Sequence, residues 1–487
     1  MSRQTLVLML SFSVALAACS DTPNGQNGSV GDGDAEDNRP HTGHDGDGDG
    51  HQDNPPPGLL LQSDVARDVN PHISSADRDR LAADNRDFAF DFFRVLREDD
   101  ESANHFVSPF SISLAMGMTY GGARNDTKTQ ISEVLRFTLD DDVLHAGMNS
   151  VDLELASRDI EGDSDGADGD GYVGDGYAGD GEGSRGGELK LDIINQTWGQ
   201  EGGGIEQDFL DHLSKNYGAG MRVVDFSRDS LDITEAVNDW VEARTNGLIK
   251  DFLAPLSPNT RLLLVNAIYF YGSWDSAFLE RNTSTQPFAS LAGSTTDVDL
   301  MAQRDRFGHF EGDNTVAASL PYLGDQLSLI AFMPADPDDD FLTWEENFTR
   351  QDFDEVVQHT RNRQELDLYF PRFEIDPEDS LSLNETLEEM GMPLPFDDCA
   401  DFTGIASGSP VCSLEALRIR DVIHKAVIKI DEEGTEAAAA TAVIIGGGDS
   451  DAGDDWIPQA RFDRPFSFAI YDRGTDTILF MGRLVDP

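Results

Sequence analysis

Cationic side chains are scarce in this chain. Lys and Arg number 35 against 92 Asp and Glu in 487 residues, a formal net charge of −57. Neutralising phosphates takes a basic face, so the balance argues against a nucleic-acid partner. It argues equally against a polybasic membrane-surface or heparin-type role. Mean hydropathy is −0.39, and no unbroken apolar run reaches the roughly 18 residues that mark a membrane-spanning helix. Only three cysteines are present, and no CxxC or Cys/His spacing suggests zinc. Catalytic signatures are missing too: no G-x-S-x-G elbow, no H-E-x-x-H, no P-loop and no dinucleotide-type glycine fingerprint. His424 sits alone in an apolar strand-like run, where a structural histidine is the ordinary reading. Neither catalysis nor a cofactor or metal is expected.

What is present begins with an address. Arg3, an apolar stretch from Leu6 to Ala18 and the run Leu16-Ala17-Ala18-Cys19 read as a signal peptide over residues 1–18. The run resembles a bacterial lipobox, in which the cysteine that follows the cut receives a lipid. The alternative is an ordinary secretory signal with a chance cysteine. The expected setting is the bacterial cell envelope, lipid-anchored, on the periplasmic or extracellular face. In an oxidising compartment Cys399 and Cys412, 13 positions apart, can close a disulfide loop. Two unpaired thiols are the alternative.

Residues 19–60 are dominated by Gly, Asp, Asn and Pro and read as a solvated tether. About 40 residues of flexible coil have an end-to-end distance of roughly 35 Å. His41, His44 and His51 among its aspartates offer at most weak metal binding. A second Asp/Gly tract, 161–188, interrupts the globular region as an insertion. The spacing of Asp163, Asp165, Asp168 and Asp170 does not match an EF-hand calcium loop.

The remainder, within 70–487, is expected to be globular. Phe88, Phe92, Val95 and Leu96 recur at helical spacing. Ser108-Pro109 precedes a helical run carrying Ile112, Ala115, Met116 and Thr119. The continuous apolar stretch RLLLVNAIYFYGSW predicts a buried central strand. FSFAIYDRGTDTILFMGRLV predicts a hairpin turning near Arg473-Gly474. Long helices first and many strands later make an α+β class.

One segment stands out: Asp431-Glu432-Glu433-Gly434-Thr435-Glu436-Ala437-Ala438-Ala439-Ala440-Thr441, directly after a strand. Alanines alone favour helix. After a strand and a glycine they suit a loop of small side chains able to slide between two strands. Strand alternation then points Thr435, Ala437, Ala439 and Thr441 inward and Glu436 outward.

At this point the chain resembles the serpin family. NRDFAFDFFRVL and NHFVSPFSISLAMGMTYGGARNDTKTQI resemble its N-terminal helices, and TRLLLVNAIYFYGSWDSAF its central strand. VIHKAVIKIDEEGTEAAAATA and FDRPFSFAIYDRGTDTILFMGRLVDP resemble the hinge and the last segment. The resemblance implies three β-sheets, about nine helices and an exposed reactive-centre loop, here about 434–461. It implies suicide inhibition of a serine or cysteine protease by loop insertion. Ser108, Ser111, Asn266 and His424 match the polar cluster under the sheet opening. Trp274 and Glu432 match the top of the sheet. Counting about 14 residues past Gly434 puts the scissile bond at Gly448-Asp449, whereas counting back from FDRPF puts it near Asp454. The segment matching a heparin-binding helix is acidic here, so no heparin activation is expected. A monomer is expected. A non-inhibitory member of the family is the alternative reading.

Overall fold

The computed structural model describes residues 58–160, 187–435 and 457–487. Cys19, the tether histidines, Asp163, Asp165, Asp168 and Asp170 lie outside the described residues. Among those residues there are nine α-helices, and eighteen strands in two nine-stranded networks.

The first helix is Ser75–Asp99, capped by the Ser74 side chain on the Asp77 N–H. Its Phe88, Phe92, Val95 and Leu96 are buried, as the helical spacing predicts, and so is Phe93. Helix Pro109–Tyr120 starts from the Ser108 cap with proline at its first turn, and every one of its residues is buried. A helix without a polar face belongs inside the core.

The main sheet is built around the long strand Leu262–Ser273, the central strand, which is the predicted apolar run. On one side it pairs along Leu189–Gln200. The two faces of the sheet are covered differently. Leu263, Val265 and Ala267 join a core with Phe226, Val237 and Val241 of helix Phe226–Arg244. Leu262, Leu264, Ile268 and Phe270 join the large core that contains helix Pro109–Tyr120. That alternation, with period two, places Asn266 on the second face.

The other network contains the predicted hairpin, Phe466–Asp472 paired with Thr477–Leu484. The three sheets implied by the resemblance appear as two hydrogen-bonded networks for a definite reason. Strand Thr295–Glu311 is 17 residues long and pairs successively with Ser284–Ala289, Arg363–Pro371 and Thr315–Pro321. One strand thereby joins what would otherwise be two sheets.

The tether boundary at residue 60 needs correcting. Leu59–Leu61 is a strand at the edge of the main sheet, antiparallel to Met221–Val224. The residues that follow are tied down as well. Arg67 bonds Asn149 at 2.8 Å, and Ser63 bonds Asp211 at 2.5 Å. A sheet edge supplies backbone partners to a segment too short to bury a core of its own.

Candidate functional site

The central strand has two different neighbours on its other side. Over its first half, strand Ile419–Lys425 pairs with it directly, from Ile419↔Leu262 to Lys425↔Ala267. Near its far end, Gly434–Thr435 is wedged in antiparallel, Gly434 opposite Ser273 and Thr435 opposite Gly272. Thr435 also pairs with Ile430 of the strand Ile428–Ile430. The chain therefore runs up the strand Ile428–Ile430, turns at Asp431–Glu433, and starts down between that strand and the central one. Only glycine fits at 434, because a Cβ there would lie 2.0 Å from the Gly272 carbonyl oxygen.

The closed half is locked by a buried polar cluster. Ser108, Ser111, Asn266 and His424 are each at most 1% exposed. The Ser108 N–H donates to His424 Nε2 at 3.1 Å. His424 is therefore neutral with its proton on Nδ1, which donates to Asn266 Oδ1 at 2.7 Å. The Ser111 hydroxyl donates to the same oxygen at 2.8 Å, and Asn266 Nδ2 donates to Asn195 Oδ1 at 2.6 Å. Burial pushes the His424 imidazole down to about 3. His424 and Asn266 are register partners, so parting these strands must break this bond. The cluster is not a nucleophile–base pair, because no serine hydroxyl donates to the imidazole. Ser108 Oγ donates instead to the Leu479 carbonyl at 2.6 Å.

The wedged half is held from outside. The Trp274 N–H donates to the Glu433 carbonyl at 2.8 Å and its indole Nε1 to the Asp431 carbonyl at 3.0 Å. The indole stacks on Tyr322 at 4.6 Å. The Tyr322 hydroxyl meets Thr435 Oγ1 at 2.6 Å. Glu432 accepts from Thr283 at 2.6 Å and from Arg372 at 2.5 Å. Burial alone would raise the Glu432 carboxyl, but these hydrogen bonds, a backbone hydrogen bond and the Arg372 charge together hold it below its usual range. Burial raises the Asp431 carboxyl, against the N–H groups of Glu433 and Gly434.

A partly admitted strand above a polar lock is a geometry for adding a strand, and comparison with known proteins agrees. The serpin (serine protease inhibitor) family model matches residues 83–487. The chain belongs to the serpin family. It is 34% identical to an uncharacterised serpin-like protein of Thermococcus kodakarensis, covering 82% of this chain and 84% of that one. It is 32% identical to the leukocyte elastase inhibitor of Sus scrofa, covering 84% and 100%. The crystal structure of the thermophilic serpin tengpin in its native state superposes with a TM-score of 0.70 at 23% identity, covering 88% and 98%. Thyroxine-binding globulin in complex with thyroxine superposes at 0.67 with 26% identity, covering 83% and 99%. The family is one of protease inhibitors rather than enzymes.

The sequence-predicted residues of this serpin thus fall into two groups in space. Ser108, Ser111, Asn266 and His424 meet in the lock, and Trp274, Glu432, Glu433, Gly434 and Thr435 meet at the top. Thr435 points inward and is buried, as strand alternation predicts. Glu436, Ala437, Ala438, Ala439, Ala440, Thr441, Gly448 and Asp449 lie outside the described residues. Cys399 and Cys412 are disulfide-bonded in a separate loop before strand Ile419–Lys425. Sequence reasoning missed Asn195, Tyr322, Thr283 and Arg372. Asn195 carries a signal in hindsight: it is an amide in a strand that must pack beside Asn266.

Proposed function

We propose that this serpin inhibits a serine protease by suicide, through completion of the strand that Gly434–Thr435 begins. That wedge between Leu262–Ser273 and Ile428–Ile430 is the observation that carries the reading. A protease cuts the loop and forms an acyl-enzyme. The freed loop then continues down the opening, drawing the protease with it before deacylation. This is strand addition, the mode by which serpin loops enter their sheet. A dozen new strand residues at ~0.5–1.5 kcal/mol per hydrogen bond give on the order of 10 kcal/mol. The uncut form is then held kinetically.

The stretch 436–456 contains no Lys or Arg and offers Val443, Ile444 and Ile445, then glycines and aspartates. A trypsin-like pocket finds no cation there, so an elastase-like or subtilisin-like target fits best. The leukocyte elastase inhibitors among the relatives support this choice. The lipobox-like run ending at Cys19 supports tethering by lipid to the bacterial envelope. Thyroxine-binding globulin supports the second reading, a ligand carrier without inhibition. Incubation with elastase, subtilisin and trypsin, followed by denaturing gels, decides between them. A denaturant-resistant complex of summed mass supports inhibition. Loop cleavage by every protease without a complex supports the carrier.

A further inference from the structure

In a chain of net charge −57, three arginines line one cleft. Arg306, Arg361, Asn362 and Arg363 line an open depression of about 430 Å³. Arg306 comes from the long strand Thr295–Glu311. Arg361 and Asn362 follow helix Arg350–Thr360, and Arg363 opens strand Arg363–Pro371. Two of the guanidiniums already have carboxylates. Arg361 pairs with Asp476 at 2.8 Å, and Arg363 with Asp275 at 2.8 Å and Asp325 at 2.5 Å. Arg306 differs. Its guanidinium donates to the Arg363 carbonyl at 3.2 Å. Glu365 is its register partner across the strands, yet among the described residues no carboxylate is in ion-pair contact with Arg306.

Each guanidinium carries five N–H donors in a planar fork that suits phosphate and sulfate oxygens. Two ion pairs leave Arg363 with donors to spare, and Arg306 has most of its own. The Asn362 amide adds a neutral donor. An extended polyanion would be repelled by the acidic surface around the cleft. A compact anion can reach the donors left over on the three arginines after the pairs with Asp476, Asp275 and Asp325.

The cleft is also wired to the main sheet. Asp275, the partner of Arg363, directly follows Trp274. The Trp274 N–H and indole hold the Glu433 and Asp431 carbonyls. Asp325, the other partner, lies in the turn after Tyr322, which stacks on Trp274 and bonds Thr435.

We propose that Arg306, Arg361, Asn362 and Arg363 form a binding site for a compact tetrahedral oxyanion, a free phosphate or a phosphate or sulfate ester. Occupancy is felt at the top of the main sheet through Arg363, Asp275 and Trp274. The site stands apart from protease trapping, and its test uses no protease.

Full-length protein is melted with increasing inorganic phosphate, against potassium chloride at matched ionic strength. A parallel series uses glucose 6-phosphate. Trp274 emission is followed in the same titrations. Phosphate should raise the melting temperature saturably where chloride does not. A charged hydrogen bond contributes about 1.5–3 kcal/mol, so Arg306→Gln should weaken binding about tenfold or more. Arg361→Gln should weaken it similarly. The emission change should saturate at the same concentration. It should vanish in Trp274→Phe, while the thermal shift persists. Tighter binding of the sugar phosphate marks an ester as the ligand, and tighter binding of inorganic phosphate marks the free ion. A shift equal to that of chloride, or one untouched by both arginine variants, overturns the site. A thermal shift without any Trp274 response overturns its link to the sheet.

Discussion

The two halves of the central strand make opposite bargains with their neighbours. From Leu262 to Ala267 it is zipped to Ile419–Lys425, and the seam is locked by a fully buried cluster around Asn266. At Gly272 and Ser273 a new strand has already entered, held by the buried Trp274, Tyr322 and Glu432 and by Arg372, whose side chain is 43% exposed. The difference separates initiation from commitment. Admitting two residues costs the sheet nothing below Ala267. Admitting the rest must part strands whose polar groups have no water to turn to.

Completing the insertion should be the largest effect. Cleavage within 443–455 should convert the wedge into a full strand. The gain on the order of 10 kcal/mol should appear as a sharp rise in the melting temperature of the cut protein. Calorimetry before and after limited proteolysis measures it. An unchanged or lower melting temperature would mean that the lower seam stays shut.

Blocking initiation should come next. Thr435 is 2% exposed and bonded to Tyr322. Thr435→Arg would have to bury an unpaired cation there, at a cost of several kcal/mol. The variant should be cleaved as a substrate and form no stable complex with a protease that the parent traps. Equal complex yields on denaturing gels would show that the occupancy of the sheet at position 435 does not control insertion of the rest.

Much of this comparison is legible in the sequence, and what is not has physical reasons. The central strand shows itself because burial on both faces demands a continuous apolar run. The helix around Phe88 and Phe92 shows itself by period. The entry of Gly434 and Thr435 shows itself because a glycine and a small side chain directly after a strand suit a slot between two strands, and the family resemblance then names the lock. The partners that hold the top come from distant strands and loops: Tyr322, Thr283 and Arg372 are unremarkable locally, and only tertiary proximity gives them roles. Leu59–Leu61 was hidden because a three-residue strand has no period to detect. The long strand Thr295–Glu311 merges two sheets through pairing that no local pattern reveals.

The lock itself can be broken from one residue. Asn266→Ala leaves the His424 Nδ1–H without its acceptor in a dry interior, sends the Ser111 hydroxyl back to the Ser108 carbonyl at 3.2 Å, and removes the donor to the partly buried Asn195 Oδ1. At about 1–3 kcal/mol for the abandoned buried donor, with the weakened bonds beside it, the loss should reach about 2–3 kcal/mol. Urea unfolding of the uncut protein measures it. A change below about 1 kcal/mol would mean that the seam is held by backbone pairing alone.

Acid tests the lock without such a deletion. His424 stands at about 3 in the fold against about 6.5 in an unfolded chain. Its depressed value means that stability is fully present above about 6.5 and lost as pH falls toward 3. At pH 5 the loss from this group is about 1.5 units, or roughly 2 kcal/mol. His145 and His212, lowered by burial to about 3 and about 4, act in the same direction. His424→Gln should therefore start less stable but lose stability less steeply between pH 7 and 5, by one proton. An unchanged slope in urea unfolding would show that His424 is charged in the native state.

The top of the sheet should titrate elsewhere and matter less to stability. Glu432 is held below its usual range, so its contribution is present above about 4.3, the unfolded value, and fades as pH falls further. Its window therefore lies below the upper part of the His424 window. Glu432→Gln keeps the shape and an acceptor for Thr283 but removes the charge facing Arg372. That arginine is partly solvated, so screening reduces the loss to about 1 kcal/mol. The functional effect should exceed the thermodynamic one, because Glu432 sits in the turn from which the hinge strand descends. The Phe278 N–H donates to its carbonyl at 2.8 Å, so the backbone stays tethered in the variant. The expected result is near-parental urea stability at pH 7, little further loss below pH 4.3, and a changed ratio of trapped to cleaved protease. A loss as large as that of Asn266→Ala would erase the distinction between rim and lock.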